Sequence, residues 1–130
     1  MNINTILSSL SAYNWTCTDD DTSQYCAELD PYTYAFVESC GGNLYMDNID
    51  IRDCFATAEK TRETETILHM YGYDTIKEME EIYGEAWAQI LAECVFEFGV
   101  LSQDPIYTGT EEECDAIVAK ITKSAVEIPA

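Results

Sequence analysis

One segment constrains the fold more than any other: residues 75–98, TIKEMEEIYGEAWAQILAECVFEF. Ile76, Met79, Tyr83, Trp87, Ile90, Cys94 and Phe98 recur every three or four residues. That period gathers them on one face of a helix. Thr75 and Glu78 form a T-x-x-E capping box at its start. A helix from Thr75 to Phe98 with one apolar stripe must cover it, so the chain has to supply further amphipathic elements. Gly84 inside the pattern costs about 1 kcal/mol against alanine and leaves room for a close helix contact.

Similar signals recur elsewhere. "TILHMYG" and "ECVFEFG" read as helix ends, with Gly72 and Gly99 as their C′ residues. Thr110 and Glu113 make a second capping box, followed by the stripe Cys114, Ile117, Val118, Ile121 and Ala125. A first helix uses Ile3, Ile6, Leu7, Leu10 and Tyr13. A middle helix begins near Asn48 and buries Ile51, Cys54, Phe55 and Ala58. "DPYTYAFVESCGG" reads as a helix with Asp30 as N-cap, Pro31 as first residue and Gly41 as stop. The β propensity of "YTYAFV" opposes that reading; the alternative is a hairpin of residues 32–38 and 43–49. The 130 residues show no repeat, linker or composition shift and suit one domain with a sizeable core. The expected fold is therefore mainly α: a single acidic domain over residues 1–130, a bundle of four to six amphipathic helices. The alternative is a small α+β fold with a hairpin within residues 32–49.

Residues 16–30, TCTDDDTSQYCAELD, raise the question of a metal or disulfide loop. Asp19, Asp21 and Ser23 stand at the first, third and fifth positions of a calcium loop, with Asp30 at the twelfth. Gln24 occupies the sixth position, where the motif needs glycine, and Asp30 stands in for a bidentate glutamate. Calcium binding is therefore expected to be weak or absent. A Cys17–Cys26 bridge is geometrically possible, but the expected compartment does not favour it. No C-x-x-C pair exists, and His69 is the one histidine, so zinc is not expected. Cys54, Cys94 and Cys114 fall on apolar helical faces and read as core thiols. His69 reads as a core or helix-end residue. Phosphate-loop, dinucleotide and nucleophile-elbow motifs are absent. The expectation is no catalytic residue, no metal and no cofactor.

Charge remains. The chain carries 25 Asp and Glu against 6 Lys and Arg, a formal net charge of -19, where a magnitude of about 2 to 8 suffices for solubility. Hydrophobic residues at 47% and aromatics at 12% exclude a disordered acidic tail. Some acids have structural roles: Glu111, Glu112 and Glu113 face a helix N-terminus with Lys120 and Lys123 near the other end, and Asp50 and Asp53 serve the middle helix. The stripe Glu78, Glu81, Glu85, Glu93 and Glu97 has no such role, and its i,i+4 pairs repel. Asp19, Asp20 and Asp21 extend the candidate set. The N-terminus lacks a secretory pattern and no apolar run approaches a membrane span, so a cytoplasmic location is expected.

Rows of carboxylates resemble the phosphate rows of a duplex in charge spacing. In size and charge the chain resembles the acidic DNA-mimic inhibitors of phages and mobile elements, the anti-restriction and anti-CRISPR proteins. The resemblance implies a non-enzymatic inhibitor acting in a bacterial host cell. It would block the basic nucleic-acid-binding surface of a host-defence nuclease or its recognition subunit, without binding nucleic acid or membrane itself. The alternative is an acidic adaptor or subunit that docks a basic protein without imitating DNA.

Overall fold

The computed structural model describes Leu10, Tyr13, residues 15–17 and residues 24–121, excepting the side chains of Thr16, Cys17 and Leu101. The element order is β1 (Thr16–Cys17), β2 (Gln24–Asp30), β3 (Thr33–Cys40), β4 (Asn43–Asp50), α1 (Ile51–Cys54), α2 (Ala58–His69), α3 (Ile76–Tyr83), α4 (Trp87–Gly99), β5 (Tyr107–Thr108) and α5 (Glu111–Ile121). The strands form one sheet in sequence order, β1-β2-β3-β4-β5. The fold is thus α+β, which corrects the expectation of a mainly-α bundle and agrees with the hairpin alternative.

The correction has a local cause. Gly41 and Gly42 both have positive φ, at 60° and 82°. Two such residues make a tight hairpin turn between β3 and β4 instead of a helix stop. At the other end of β3, the Asp30 carboxylate accepts a hydrogen bond from the Tyr32 amide at 2.8 Å, closing a turn with Pro31. Asp30 is therefore a turn residue and not a helix N-cap. Between these turns Tyr34, Ala35, Phe36 and Val37 are all buried. A strand buried on both faces shows a continuous apolar run, without the alternation that marks a strand in sequence. Strand β2 starts in the stretch read for metal or disulfide chemistry, and Cys26 within it is buried.

The chain forms two compact units. The first holds residues 1–28, 35–47 and 103–130. Its core joins Ala27, Ala35, Val37 and Leu44 of the sheet to Cys114, Ile117, Val118 and Ile121 of α5, with Leu10 and Trp15. The α5 capping box is complete: the Glu113 amide donates to Thr110 Oγ1 at 3.1 Å, and the Thr110 amide donates to Glu113 Oε1 at 3.0 Å. Ala125 and Lys123, and the first-helix residues Ile3, Ile6 and Leu7, lie outside the described residues.

The second unit holds residues 29–34 and 48–102. Ile51, Leu68, Met79, Leu91, Ala92 and Phe96 are its most buried side chains. Three sequence expectations fail here. The middle helix is two helices, because Thr57 caps α2 through the Lys60 amide; Phe55 and Ala58 are exposed in consequence. The helix from Thr75 to Phe98 breaks at Gly84, whose φ of 57° ends α3; a three-residue 3₁₀ turn then leads into α4. Gly99 belongs to α4 and does not stop it, since the chain continues as a 3₁₀ turn over Val100–Ser102. Gly72 does behave as expected. Its amide bonds to the His69 carbonyl at 3.2 Å and the Tyr73 amide to the Leu68 carbonyl at 3.0 Å, the pattern of a Schellman cap with glycine at φ 88°.

The turn glycines give a direct test. A Cβ on Gly42 would lie 2.7 Å from the Gly109 carbonyl oxygen, whereas one on Gly41 meets nothing within 4 Å. Gly41→Ala should cost about 1–2 kcal/mol for its left-handed backbone alone, and Gly42→Ala clearly more. Urea denaturation of the two variants checks this; equal losses would mean that the close approach to Gly109 does not constrain the turn.

Candidate interaction surface

Helix ends sort the acids by what they do for the fold. A helix N-terminus favours negative charge and a C-terminus favours positive charge. Asp53, Glu59 and Glu78 occupy first turns in α1, α2 and α3, as do Glu111, Glu112 and Glu113 in α5. Arg52, His69 and Lys120 occupy last turns in α1, α2 and α5. The C-terminal turns of α3 and α4 reverse this arrangement. Neither contains a base. Instead α3 ends with Glu80 and Glu81, and α4 ends with Glu97, which is also an i,i+4 neighbour of Glu93. From residue 78 to residue 119 the sequence has no Lys or Arg at all.

The same two helix ends expose apolar side chains. Ile82 is 54% exposed beside Glu81, and Phe98 is 51% exposed beside Glu97. Tyr71, in the turn after α2, lies close to Glu97 and Cys94; burial first, and the negative charge of Glu97 second, raise its phenol pKa. Met70, 69% exposed, precedes it. Tyr71 and Glu97 are thus neighbours, and the residues next to them in sequence, Met70 and Phe98, are exposed apolar side chains. Among the described residues every large exposed hydrophobic side chain belongs to the second unit: Leu29, Tyr32, Phe55, Met70, Tyr71, Ile82 and Phe98.

A groove of about 250 Å³ is also built wholly within this unit. Cys54 is buried and Ile49, Ile67 and Val95 are half-buried, which makes an apolar base. Asp53, Lys60 and Glu63 are exposed at its mouth. Lys60 Nζ reaches Glu63 Oε2 only at 4.0 Å, with both side chains 59% exposed; such a pair contributes little. Asp50 also lines the groove but is engaged. It caps α1 through the Arg52 amide at 2.9 Å and forms an ion pair with the Arg52 guanidinium at 2.6 Å. Arg52 in turn stacks over the Tyr32 ring at 5.1 Å. Hydrogen bonds from Arg52, side chain first and backbone second, hold the Asp50 carboxyl below its ordinary value.

The stripe expected from sequence is divided by this geometry. Glu78 and Glu81 lie on α3, Glu85 in the 3₁₀ turn, and Glu93 and Glu97 on α4. Glu78 is half-buried and its Oε2 accepts from the Asp74 amide at 2.7 Å, so it serves the capping of α3. Glu93 is half-buried and accepts from Gln89 at 3.3 Å. Glu81, Glu85 and Glu97 are exposed. Asp19, Asp20 and Asp21, with Ser23 of the calcium pattern, lie outside the described residues. Sequence reasoning missed Glu80, the exposed side chains Met70, Tyr71 and Ile82, and the groove. It placed Phe98 in the core because Phe98 keeps the apolar period of α4 to the last turn. Glu80 was findable as an acid in the last turn before a glycine.

The thiols read as core residues behave as such. Burial raises the pKa of Cys54 and Cys114, and pushes Cys94 up to about 11; Cys40 is exposed. His69 sits at the end of α2, where its Nε2 donates to the Asp74 carbonyl at 3.0 Å. Among the described residues no group of three His, Cys, Asp or Glu could hold a metal ion, and no helix is long and apolar enough to cross a membrane. Comparison with protein-family models, curated proteins and solved structures found no match.

The Asp50–Arg52 pair predicts a pH dependence. A carboxylate whose folded pKa is depressed stabilises the fold above its unfolded value, and that contribution is lost as pH falls through the lower folded value. The ordinary aspartate value here is 3.8. Asp50→Asn keeps the cap but removes the charge. It should be less stable than the parent at pH 6, and the difference should vanish as pH falls well below 3.8. Urea unfolding between pH 2 and pH 7 checks this; a pH-independent difference would show that the charge contributes nothing.

Proposed function

We propose that the chain is a non-enzymatic acidic adaptor or subunit that docks a basic protein partner through the second unit, without imitating DNA. The observation that carries this reading is that Glu80, Glu81 and Glu97 stand in the C-terminal turns of α3 and α4, where no base shares the turn, beside exposed apolar side chains. A surface that only imitated phosphates would have no use for Phe98, Ile82, Tyr71 and Met70. Protein interfaces combine such side chains with a charged rim. Exposed apolar clusters edged by polar groups mark interaction sites. The rim steers a basic partner and the apolar residues hold it.

Two further features support docking over mimicry of a duplex. The stripe is not carried by one continuous helix, because Gly84 divides it. Charge is also spread through the molecule. The second unit's sequence holds thirteen acids against four bases, an excess of nine, and the first unit's holds twelve against two, an excess of ten. Blocking a nucleic-acid-binding surface on a host-defence nuclease is the competing function, and it makes a different prediction for competitors.

Tagged protein should retain a basic partner from lysate of its own cells after nuclease treatment. Retention should fall with rising salt, because charges across the interface are screened. It should be lost in both Glu97→Lys and Phe98→Ser, and should survive added duplex DNA. Retention that duplex DNA abolishes and Phe98→Ser leaves intact would instead identify a nucleic-acid mimic. Retention of no basic protein would overturn both readings.

A further inference from the structure

The groove between α1, α2 and α4 has a shape and a chemistry that the patch around Phe98 lacks. We infer that it is an anchor site for one arginine side chain of the basic partner, an assignment that rests on the docking function proposed above.

An arginine is a cation at the end of an aliphatic stem, and such side chains bury the stem while the head stays near water and carboxylates. The groove offers the same order of groups. Ile49, Cys54, Ile67 and Val95 form its apolar base, and the Asp53 and Glu63 carboxylates stand exposed at its mouth. Its volume of about 250 Å³ suits one long side chain and not a helix or a strand. Neither carboxylate is held by a hydrogen bond from the fold, although Asp53 stands in the first turn of α1. Asp53 has no hydrogen bond or ion pair among the described residues, and Glu63 has only Lys60 at 4.0 Å. A guanidinium can displace that contact, because planar paired donors match a carboxylate and an ammonium does not. Asp50 is already paired with Arg52 and is left in place, so Asp53 and Glu63 are the carboxylates that meet the incoming cation. The molecule itself shows the pairing that a guanidinium makes with a carboxylate: Arg52 lies on Asp50. The excess of nine acids in this unit favours arrival of a cation.

The test is a nuclear magnetic resonance titration of the full chain with acetyl-Gly-Arg-Gly amide. The comparison peptide carries citrulline, which keeps the length and removes the charge. Backbone amide signals of Asp53, Glu63, Thr64 and Val95 should shift together on one saturating curve. The citrulline peptide should bind at least tenfold more weakly, and so should the arginine peptide to Asp53→Asn/Glu63→Gln. Both substitutions are at exposed positions, and the unshifted remainder of the spectrum reports that the variant is folded. Equal binding of the citrulline peptide would overturn the anchor, as would shifts confined to α3 and the end of α4. In the second case a basic partner still docks, so the proposed function stands while the groove assignment fails. If no signal shifts with the arginine peptide while a basic protein is still retained from lysate, the anchor fails alone. If neither binds, both fail.

Discussion

Electrostatic self-repulsion is the constraint to which the rest of the structure answers. Twenty-five acids against six bases give a formal charge of -19 on 130 residues, and repulsion of that kind favours the expanded chain. The fold limits the cost by giving many carboxylates local work. Thr110 and Glu113 exchange two capping bonds. Glu78 and Glu65 accept the amides of Asp74 and Ile76 around the start of α3. Asp50 caps α1 and pairs with Arg52. These carboxylates offset repulsion with hydrogen bonds, and a position near a helix N-terminus adds the helix dipole.

Against that background the ends of α3 and α4 stand apart. Glu80, Glu81 and Glu97 sit where the dipole disfavours them and where no base shares the turn. Each such placement costs a few tenths of a kcal/mol to about 1 kcal/mol. Natural proteins keep destabilising residues where function needs them. The exposed Ile82 and Phe98 beside these acids have the same character, since water is a poor neighbour for both. Local violations of folding rules gathered in one unit are what an interaction surface looks like from the side of stability.

Much of this was legible in the sequence wherever a rule depends on neighbouring residues. The Thr75 N-cap, the capping box at Thr110, the Schellman glycine at Gly72, the helix-end position of His69 and the buried thiols of Cys54, Cys94 and Cys114 were all readable at short range. What was not readable depends on tertiary context. The run Tyr34–Val37 could be a buried helix or a central strand, and burial on both faces removed the alternation that would have decided it. Gly41-Gly42 could stop a helix or turn a hairpin, and the sequence supports either. Gly84 looked like a tolerated glycine in a helix, yet its positive φ ends one. That single break divides the glutamate stripe, moves Glu80 and Glu81 to a helix C-terminus and so changes which acids matter. The groove was out of reach because its wall comes from residues 49, 54, 67 and 95, which no local pattern connects.

Under the proposed docking function, Glu97 at the end of α4 serves a partner more than it serves the fold. The most direct test needs the protein alone: the unfolding free energy of Glu97→Lys against the parent, at low and high salt. Reversal removes the repulsion from Glu93 and places a cation at a helix C-terminus. The variant should be more stable by a few tenths of a kcal/mol to about 1 kcal/mol at low ionic strength, with the gain shrinking as salt is added. A variant less stable than the parent at every salt concentration would show that Glu97 serves the fold, and would contradict the account.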